Sequence, residues 1–128
     1  MALANNLGIS DRLIWHGNTE ATKFYQTIDL YVLPSDFEGF ALGILEAANY
    51  QLPVVCSNVS GNLEIVTNGT GRIFKSGNSQ NLSEKIQYYI DNPKVARVES
   101  LKLYEYSQEN FGTDVFFKKT LEVYQGVI

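Results

Sequence analysis

Short apolar runs bounded by glycine, asparagine, serine and proline alternate along this chain with longer stretches whose apolar side chains recur every third or fourth position. The first pattern is that of buried strands and the second that of amphipathic helices. Residues 12–15, reading RLIW and followed by His16-Gly17-Asn18, predict a short strand running into a loop. Residues 19–26 predict a helix with Ala21, Phe24 and Tyr25 on one face and Asn18 or Thr19 as its cap. A strand over 30–33, closed by Pro34, a helix over 42–50 and a compact strand over 53–56 follow. Next come a short helix over 62–66, a turn over 68–71 and a strand over 72–74.

From Ser79 onward the period is helical throughout. Leu82, Ile86, Tyr89 and Ile90 share one face, and Asn81 with Glu84 has the spacing of a capping box. Asn92-Pro93 ends that helix. A second is expected from about Lys94 to Ser107 with Val98, Leu101 and Tyr104 inward, and a third from about Thr113 to Gln125 with Phe117, Thr120, Leu121 and Tyr124 inward. The aromatic side chains of this half are expected mostly in the core, some of them facing a domain that lies outside the chain. Exposure of that surface favours self-association.

Strands separated by helices of this length imply right-handed βαβ units, hence an α/β fold with a Rossmann-like parallel sheet and helices on both faces. No repeat, linker or low-complexity tract divides residues 1–128, so one domain is expected. Ligands in such folds sit beyond the carboxyl ends of the strands, which directs attention to the loops after residues 15, 33, 56 and 74.

Composition narrows the function. A net charge of −4 and a pI near 4.9 argue against a nucleic-acid module, and 45% apolar with 19% charged residues argues against disorder. The single cysteine, Cys56, excludes an internal disulfide framework and a cysteine-based zinc site, and it ends an apolar strand as an inert thiol would. No apolar stretch has a spanning length and no signal-peptide core is present near the amino end, so a cytoplasmic protein is expected. No metal-ligand spacing occurs. His16 reads as a loop residue, since no nearby carboxylate orients it, with a nucleobase-packing role left open.

The loop after residue 33 carries the candidate chemistry. It joins a strand stop, a flexible glycine and two carboxylates, Glu38 and Glu46, eight positions apart. At about 1.5 Å per residue that separation is about 12 Å, the reach from a sugar across a diphosphate to a ribose. The amides of residues 40–43 would open between the two acids at a helix N-terminus, where unpaired N–H groups and the helix dipole favour phosphate.

This stretch, EGFALGILEA, resembles the EGFGLPxLEA signature of the family 4 retaining glycosyltransferases, and the chain is similar to the donor-binding C-terminal half of their GT-B fold. The likeness continues through DLYVLPS before it and QLPVVCSNVSGNLEIV, GRIFKSGNSQNLSEKI and DNPK after it. It implies that Glu38 lies beside the transferred sugar and stabilises an oxocarbenium-like transition state. It further implies that Gly39, Phe40, Ala41 and Leu42 present backbone amides to the sugar and diphosphate, and that Glu46 holds the ribose hydroxyls. Gly17 and Asn18 fall where the family packs the nucleobase. Gly61 and Glu64 belong to a run like the family's G-G-x-x-E, another wall of the site, although Glu64 also reads as a cap of its short helix.

Three positions depart from the family pattern: Ala41 and Gly43 stand where Gly and Pro are usual, and Ser60 replaces the first Gly of G-G. The family's diphosphate-binding Arg and Lys and its acceptor-binding N-terminal domain have no counterpart in the chain. A fragment is therefore expected, inactive alone, from an enzyme that moves a sugar from a nucleotide sugar, UDP- or GDP-linked, to a saccharide or lipid-linked acceptor. The resemblance implies no cofactor or metal, a role in surface polysaccharide synthesis, and a parent protein peripheral at the inner face of the plasma membrane. The alternative readings are a non-catalytic nucleotide-binding module and a scaffold α/β domain.

Overall fold

The computed structural model describes residues 1–67 and 69–127. A short helix α1 (Ala2–Asn6) and a 3₁₀ turn (Ser10–Arg12) precede α2 (Ala21–Gln26). The sheet and its connections follow: β1 (Tyr31–Leu33), α3 (Leu42–Asn49), β2 (Val54–Ser57), α4 (Ser60–Leu63) and β3 (Arg72–Phe74). Three helices complete the chain: α5 (Ser79–Asp91), α6 (Pro93–Phe111) and α7 (Thr113–Val127).

The strands pair in parallel in the order β1-β2-β3, with Val32 opposite Val55 and Cys56 opposite Ile73. β2 is the central strand and all four of its residues are buried, which is why its sequence is a continuous apolar run closed by a serine. The strand period of two sends Val54 and Cys56 to one face and Val55 to the other. On the first face Ile44, Ala47 and Ala48 of α3 pack with Ile65, Val66 and Leu103. On the second, Phe74, Tyr89 and Ala96 pack with Leu82 and Ile86. The expected α/β architecture is therefore present, and because the strands are parallel the loops after β1, β2 and β3 emerge at the same end.

A partly buried ionic pair fastens the second face. Arg72 on β3 donates from Nε to Glu99 Oε2 at 3.1 Å and from Nη2 to Glu99 Oε1 at 2.6 Å, and the Tyr89 hydroxyl donates to Glu99 Oε2 at 2.6 Å. The guanidinium also lies 4.1 Å from the centroid of the Tyr88 ring. Both carboxylate oxygens of Glu99 are thus engaged, and β3, α5 and α6 share one polar staple.

Several expectations are corrected. Residues 12–15 do not form a strand: Leu13, Ile14 and Trp15 are 40%, 79% and 66% exposed, and among the described residues no strand pairs with them. Apolar composition makes a strand only where a neighbour supplies the ladder. The cap of α5 is Asn78, whose side chain accepts from the Asn81 N–H, while the Asn81 carbonyl oxygen accepts from Lys75 N–H instead. α4 begins at Ser60, ahead of the expected start. α6 turns Ala96, Glu99, Ser100, Leu103 and Ser107 inward, leaving Val98 exposed and Leu101 and Tyr104 half-buried. On α7 the expected inward face is exposed at Phe117, Leu121 and Tyr124, with Phe116 exposed beside them; of the aromatics assigned mostly to the core, Tyr89 is the one that is fully buried. The turn expected over 68–71 includes Gly69 and Thr70, and Asn68 lies outside the described residues.

Candidate functional site

The loop between β1 and α3 is fixed from below by the end of β2 and the start of α4. The Ser35 hydroxyl donates to Glu38 Oε1 at 2.7 Å. Ser57, at the carboxyl end of β2, donates its own hydroxyl to the Ser35 carbonyl at 2.5 Å. Asn62 on α4 donates through Nδ2 to the Ser57 carbonyl at 3.0 Å and to the Ser57 hydroxyl at 3.2 Å. Asn62 and Ser57, both fully buried, thus fix the Ser35 backbone, and the Ser35 hydroxyl separately supports the half-buried Glu38 carboxylate. Asn62 Oδ1 is buried without a partner among the described residues, a cost of about 1–3 kcal/mol that the two bonds from its Nδ2 offset.

Gly61 holds the backbone of the same residue. Its N–H donates to the Glu38 carbonyl at 3.1 Å, and a Cβ at this position would lie 2.3 Å from that oxygen. Glycine here is a matter of space: the first turn of α4 presses directly on the loop. Gly39 has open surroundings and an ordinary φ, so its lack of a side chain leaves room above the loop rather than relieving strain.

α3 begins at Leu42, with Ala41 as N-cap, and no side chain caps it. Within the first turn the Leu42 N–H donates to the Phe40 carbonyl and the Ile44 N–H to the Ala41 carbonyl. Ala41 is buried, its methyl part of the core, whereas Phe40 packs edge-on against Phe111 at 5.4 Å. The Leu42 amide, expected to face the diphosphate, is thus paired within the turn, which corrects that expectation; among the described residues no carboxylate or hydroxyl plugs the helix end, and its dipole favours an anion.

Glu46 lies one turn further along α3, exposed, and receives the Tyr25 hydroxyl on Oε2 at 2.9 Å. Tyr25 also approaches the Gly43 carbonyl at 3.3 Å, and its ring stacks on Tyr50 at 5.5 Å and 14°. Burial, together with the hydrogen bond to Glu46, pushes the Tyr25 phenol well above its ordinary value, so its proton stays in place as a donor. The Tyr31 hydroxyl is raised as well, by burial first and then by the charges of both Glu46 and Glu38. Gly43, a departure from the family pattern, has a use here: a Cβ on it would lie 2.3 Å from the Tyr31 oxygen.

Gly17 takes a left-handed conformation with φ of 60° in the exposed segment before α2, next to Asn18. Edge contacts from His16 to Phe24 at 5.9 Å and from Phe24 to Tyr25 at 5.4 Å lead from this segment to Glu46's partner. Glu64 closes the carboxyl end of α4, exposed, where it cannot cap the amino end of that helix. The structure thus brings Glu38, Glu46 and Gly61, all singled out from sequence, to the loop before α3 and its first turns. Sequence reasoning missed Ser35, Ser57, Asn62, Tyr25 and Tyr31 as their supports.

Two clefts border the loop. One of about 460 Å³ lies between Phe40, Leu42 and Leu45 and the α6–α7 corner at Phe111, Thr113 and Phe116. The other, about 220 Å³, is lined by Pro34, Asp36, Phe74 and the start of α5. Among the described residues no three His, Cys, Asp or Glu side chains gather as metal ligands, and no helix is long and apolar enough to cross a membrane.

Comparison with known proteins gives a consistent result. The family described as "Glycosyl transferases group 1" matches residues 1–109. The chain is 31% identical over 109 residues to a lipopolysaccharide core biosynthesis mannosyltransferase, LpcC, of Rhizobium leguminosarum bv. viciae, covering 84% of this chain and 31% of that protein. It is 33% identical over 75 residues to a capsular polysaccharide biosynthesis glycosyltransferase, CapM, of Staphylococcus aureus, covering 58% of this chain and 20% of that protein. Among solved structures, Anabaena Alr3699/HepE in complex with UDP and glucose superposes with a TM-score of 0.91 at 22% identity, covering 98% of this chain and 35% of that one. The C-terminal domain of a glycosyl transferase group 1 family protein from Francisella tularensis gives a TM-score of 0.76 at 20% identity, covering 88% and 60%. The chain spans about a third of the length of the curated relatives it matches.

Proposed function

The chain belongs to the glycosyl transferases group 1 family, and from that premise we propose that it is the donor-binding part of a retaining glycosyltransferase of family 4. It takes a nucleotide sugar, UDP- or GDP-linked, whose sugar passes to a saccharide or lipid-linked acceptor held by an N-terminal domain outside this chain. Relatives named for lipopolysaccharide core and capsular polysaccharide biosynthesis support a role in surface polysaccharide synthesis. That role puts the parent protein in the cytoplasm, peripheral at the inner face of the plasma membrane.

The observation that carries this reading is the uncapped start of α3, with Glu38 before it, held by the Ser35 hydroxyl, and Glu46 within it, held by the Tyr25 hydroxyl. The diphosphate sits on the α3 amides and Glu46 accepts from the ribose hydroxyls. Glu38, braced by Ser35, faces the sugar. As the bond from the anomeric carbon to the phosphate oxygen breaks, negative charge grows on the diphosphate and positive charge on the sugar ring. The helix end stabilises the first and the Glu38 carboxylate the second, so the charge separation needs no bound metal. Two acids near a diphosphate repel it, and the basic residues that offset this belong to the parent protein. Gly17 and Asn18 pack the nucleobase, and Gly61 with Glu64 bounds the sugar side.

Titration of the chain with UDP, GDP and ADP tests the reading. The expected result is saturable binding of one of them, weakened by Glu46→Gln, with no sugar transfer by the chain alone. Absence of binding by all three overturns it, and turnover by the purified chain overturns the division of labour between the two domains.

A further inference from the structure

The side chain that fixes Glu46 comes from outside the loop and from outside α3. Glutamate on an exposed helix surface samples several rotamers, and ordering it on a ligand costs part of the interaction. Here that freedom is removed beforehand. The Tyr25 hydroxyl donates to Oε2 at 2.9 Å, Oε1 takes no hydrogen bond among the described residues, and the donor ring is itself confined between Tyr50 at 5.5 Å and Tyr31 at 5.7 Å. A neutral donor keeps the full negative charge on the carboxylate, where a guanidinium would neutralise it and occupy both oxygens.

Gly43 completes the arrangement. A Cβ there would lie 2.3 Å from the Tyr31 oxygen, 3.3 Å from Tyr31 Cζ and 3.6 Å from the Tyr25 oxygen. Both phenol oxygens therefore converge on the bare backbone of the first turn of α3, and Tyr31 keeps the Tyr25 ring from swinging away.

We propose that Tyr25 is a positioning residue, seated by Tyr31 and Gly43, that sets the free oxygen of Glu46 for the ribose hydroxyls and so makes the site discriminate ribonucleotides from deoxyribonucleotides. This rests on the assignment of Glu46 to the ribose. A merely structural Tyr25 would lower affinity for both nucleotide types equally, whereas a positioning role acts on their ratio.

The test is titration of the chain with the best-bound of UDP, GDP and ADP, and with its 2′-deoxy counterpart. In the wild type the ribonucleotide should bind roughly tenfold tighter, the scale of one charge-assisted hydrogen bond. Tyr25→Phe, which keeps the stacked ring, should reduce that ratio to about twofold or less, as should Glu46→Gln. Should Tyr25→Phe fail to fold, Gly43→Ala serves: it should lower the ratio, and adding Tyr31→Phe, which removes the crowded oxygen, should restore it. A wild-type ratio retained in Tyr25→Phe, or in Gly43→Ala, overturns the positioning role while leaving Glu46 on the ribose. A wild type that binds nucleotide without discrimination overturns the Glu46 assignment and this inference with it, and so does a wild type that binds none.

Discussion

Glu99 and Glu46 each accept a tyrosine hydroxyl, yet the rest of their surroundings divide them. Glu99 is buried, with both oxygens taken by the Arg72 guanidinium and one shared with Tyr89. Glu46 is exposed, with Tyr25 on one oxygen and the other open among the described residues. Glu38 follows the second pattern, bonded by Ser35 on one oxygen only. A carboxylate whose acceptor capacity is filled inside the protein serves the fold, and one that is aimed but half-filled is left for a ligand. The difference lies in the number and charge of the donors, since each has a phenol or hydroxyl to orient it.

Breaking the first pattern should cost the most. Glu99→Ala strands a partly buried guanidinium and orphans the Tyr89 hydroxyl, and is expected to destabilise the chain by about 3 kcal/mol, which a thermal melt would register as a fall of about 10 °C. The second pattern should behave oppositely. Glu38→Gln keeps the oxygen that accepts from Ser35, so the melting temperature should move by less than about 2 °C, within the usual range for a substitution that breaks no buried pair. Transferase activity of the parent protein should nevertheless fall by about 10²-fold or more. Equal losses of stability at the two sites would erase the distinction.

Gly61→Ala probes the boundary between the two regimes, because its Cβ would meet backbone rather than a movable side chain. A loss of about 2 kcal/mol is expected, together with a displaced Glu38 loop visible as shifted amide resonances over residues 35–41. Arg72→Lys, which gives up the two-pronged geometry while keeping the charge, should cost about 1 kcal/mol in a urea titration.

A further effect appears only in alkali. Burial, then the bond to Glu99, raises the Tyr89 phenol; burial and Glu46 raise Tyr25; and burial alone pushes the Cys56 thiol up to about 12. Groups raised in the folded state are stabilising while the unfolded chain also holds the proton. That contribution is fully present below about pH 8 and drains away above it, first as the unfolded thiol and then as the unfolded phenols ionise while the folded ones do not. Chemical denaturation between about pH 6 and 8 should give a stability free of this loss, then a decline that steepens towards about pH 11.

The divide between legible and hidden features follows distance along the chain. β2 announced itself because a strand buried on both faces must be continuously apolar, and Pro93 and the glycines marked boundaries by local chemistry, whereas the cap of α5 at Asn78 was hidden behind the box-like spacing of Asn81 and Glu84. The α3 terminus and its acids sit within one contiguous segment, so their spacing carried the chemistry. The supports of those acids do not: Tyr25 lies 21 positions from Glu46 and Ser57 lies 22 from Ser35, and no periodicity links such pairs. Gly43 read only as a departure from the family's usual Pro, because the Tyr31 oxygen that fills the space beside it arrives from β1. Residues 12–15 read as a strand because composition records apolar side chains and not the presence of a pairing neighbour.

Cys56 gives the domain a built-in clock. As the sole thiol, fully buried in the central strand, it reacts with a thiol-trapping reagent only when the sheet itself comes apart, because the trap needs both access and a thiolate. The rate at which the native protein takes up one label therefore counts openings of the core, and nucleotide added to the mixture should slow that count in proportion to how tightly it binds.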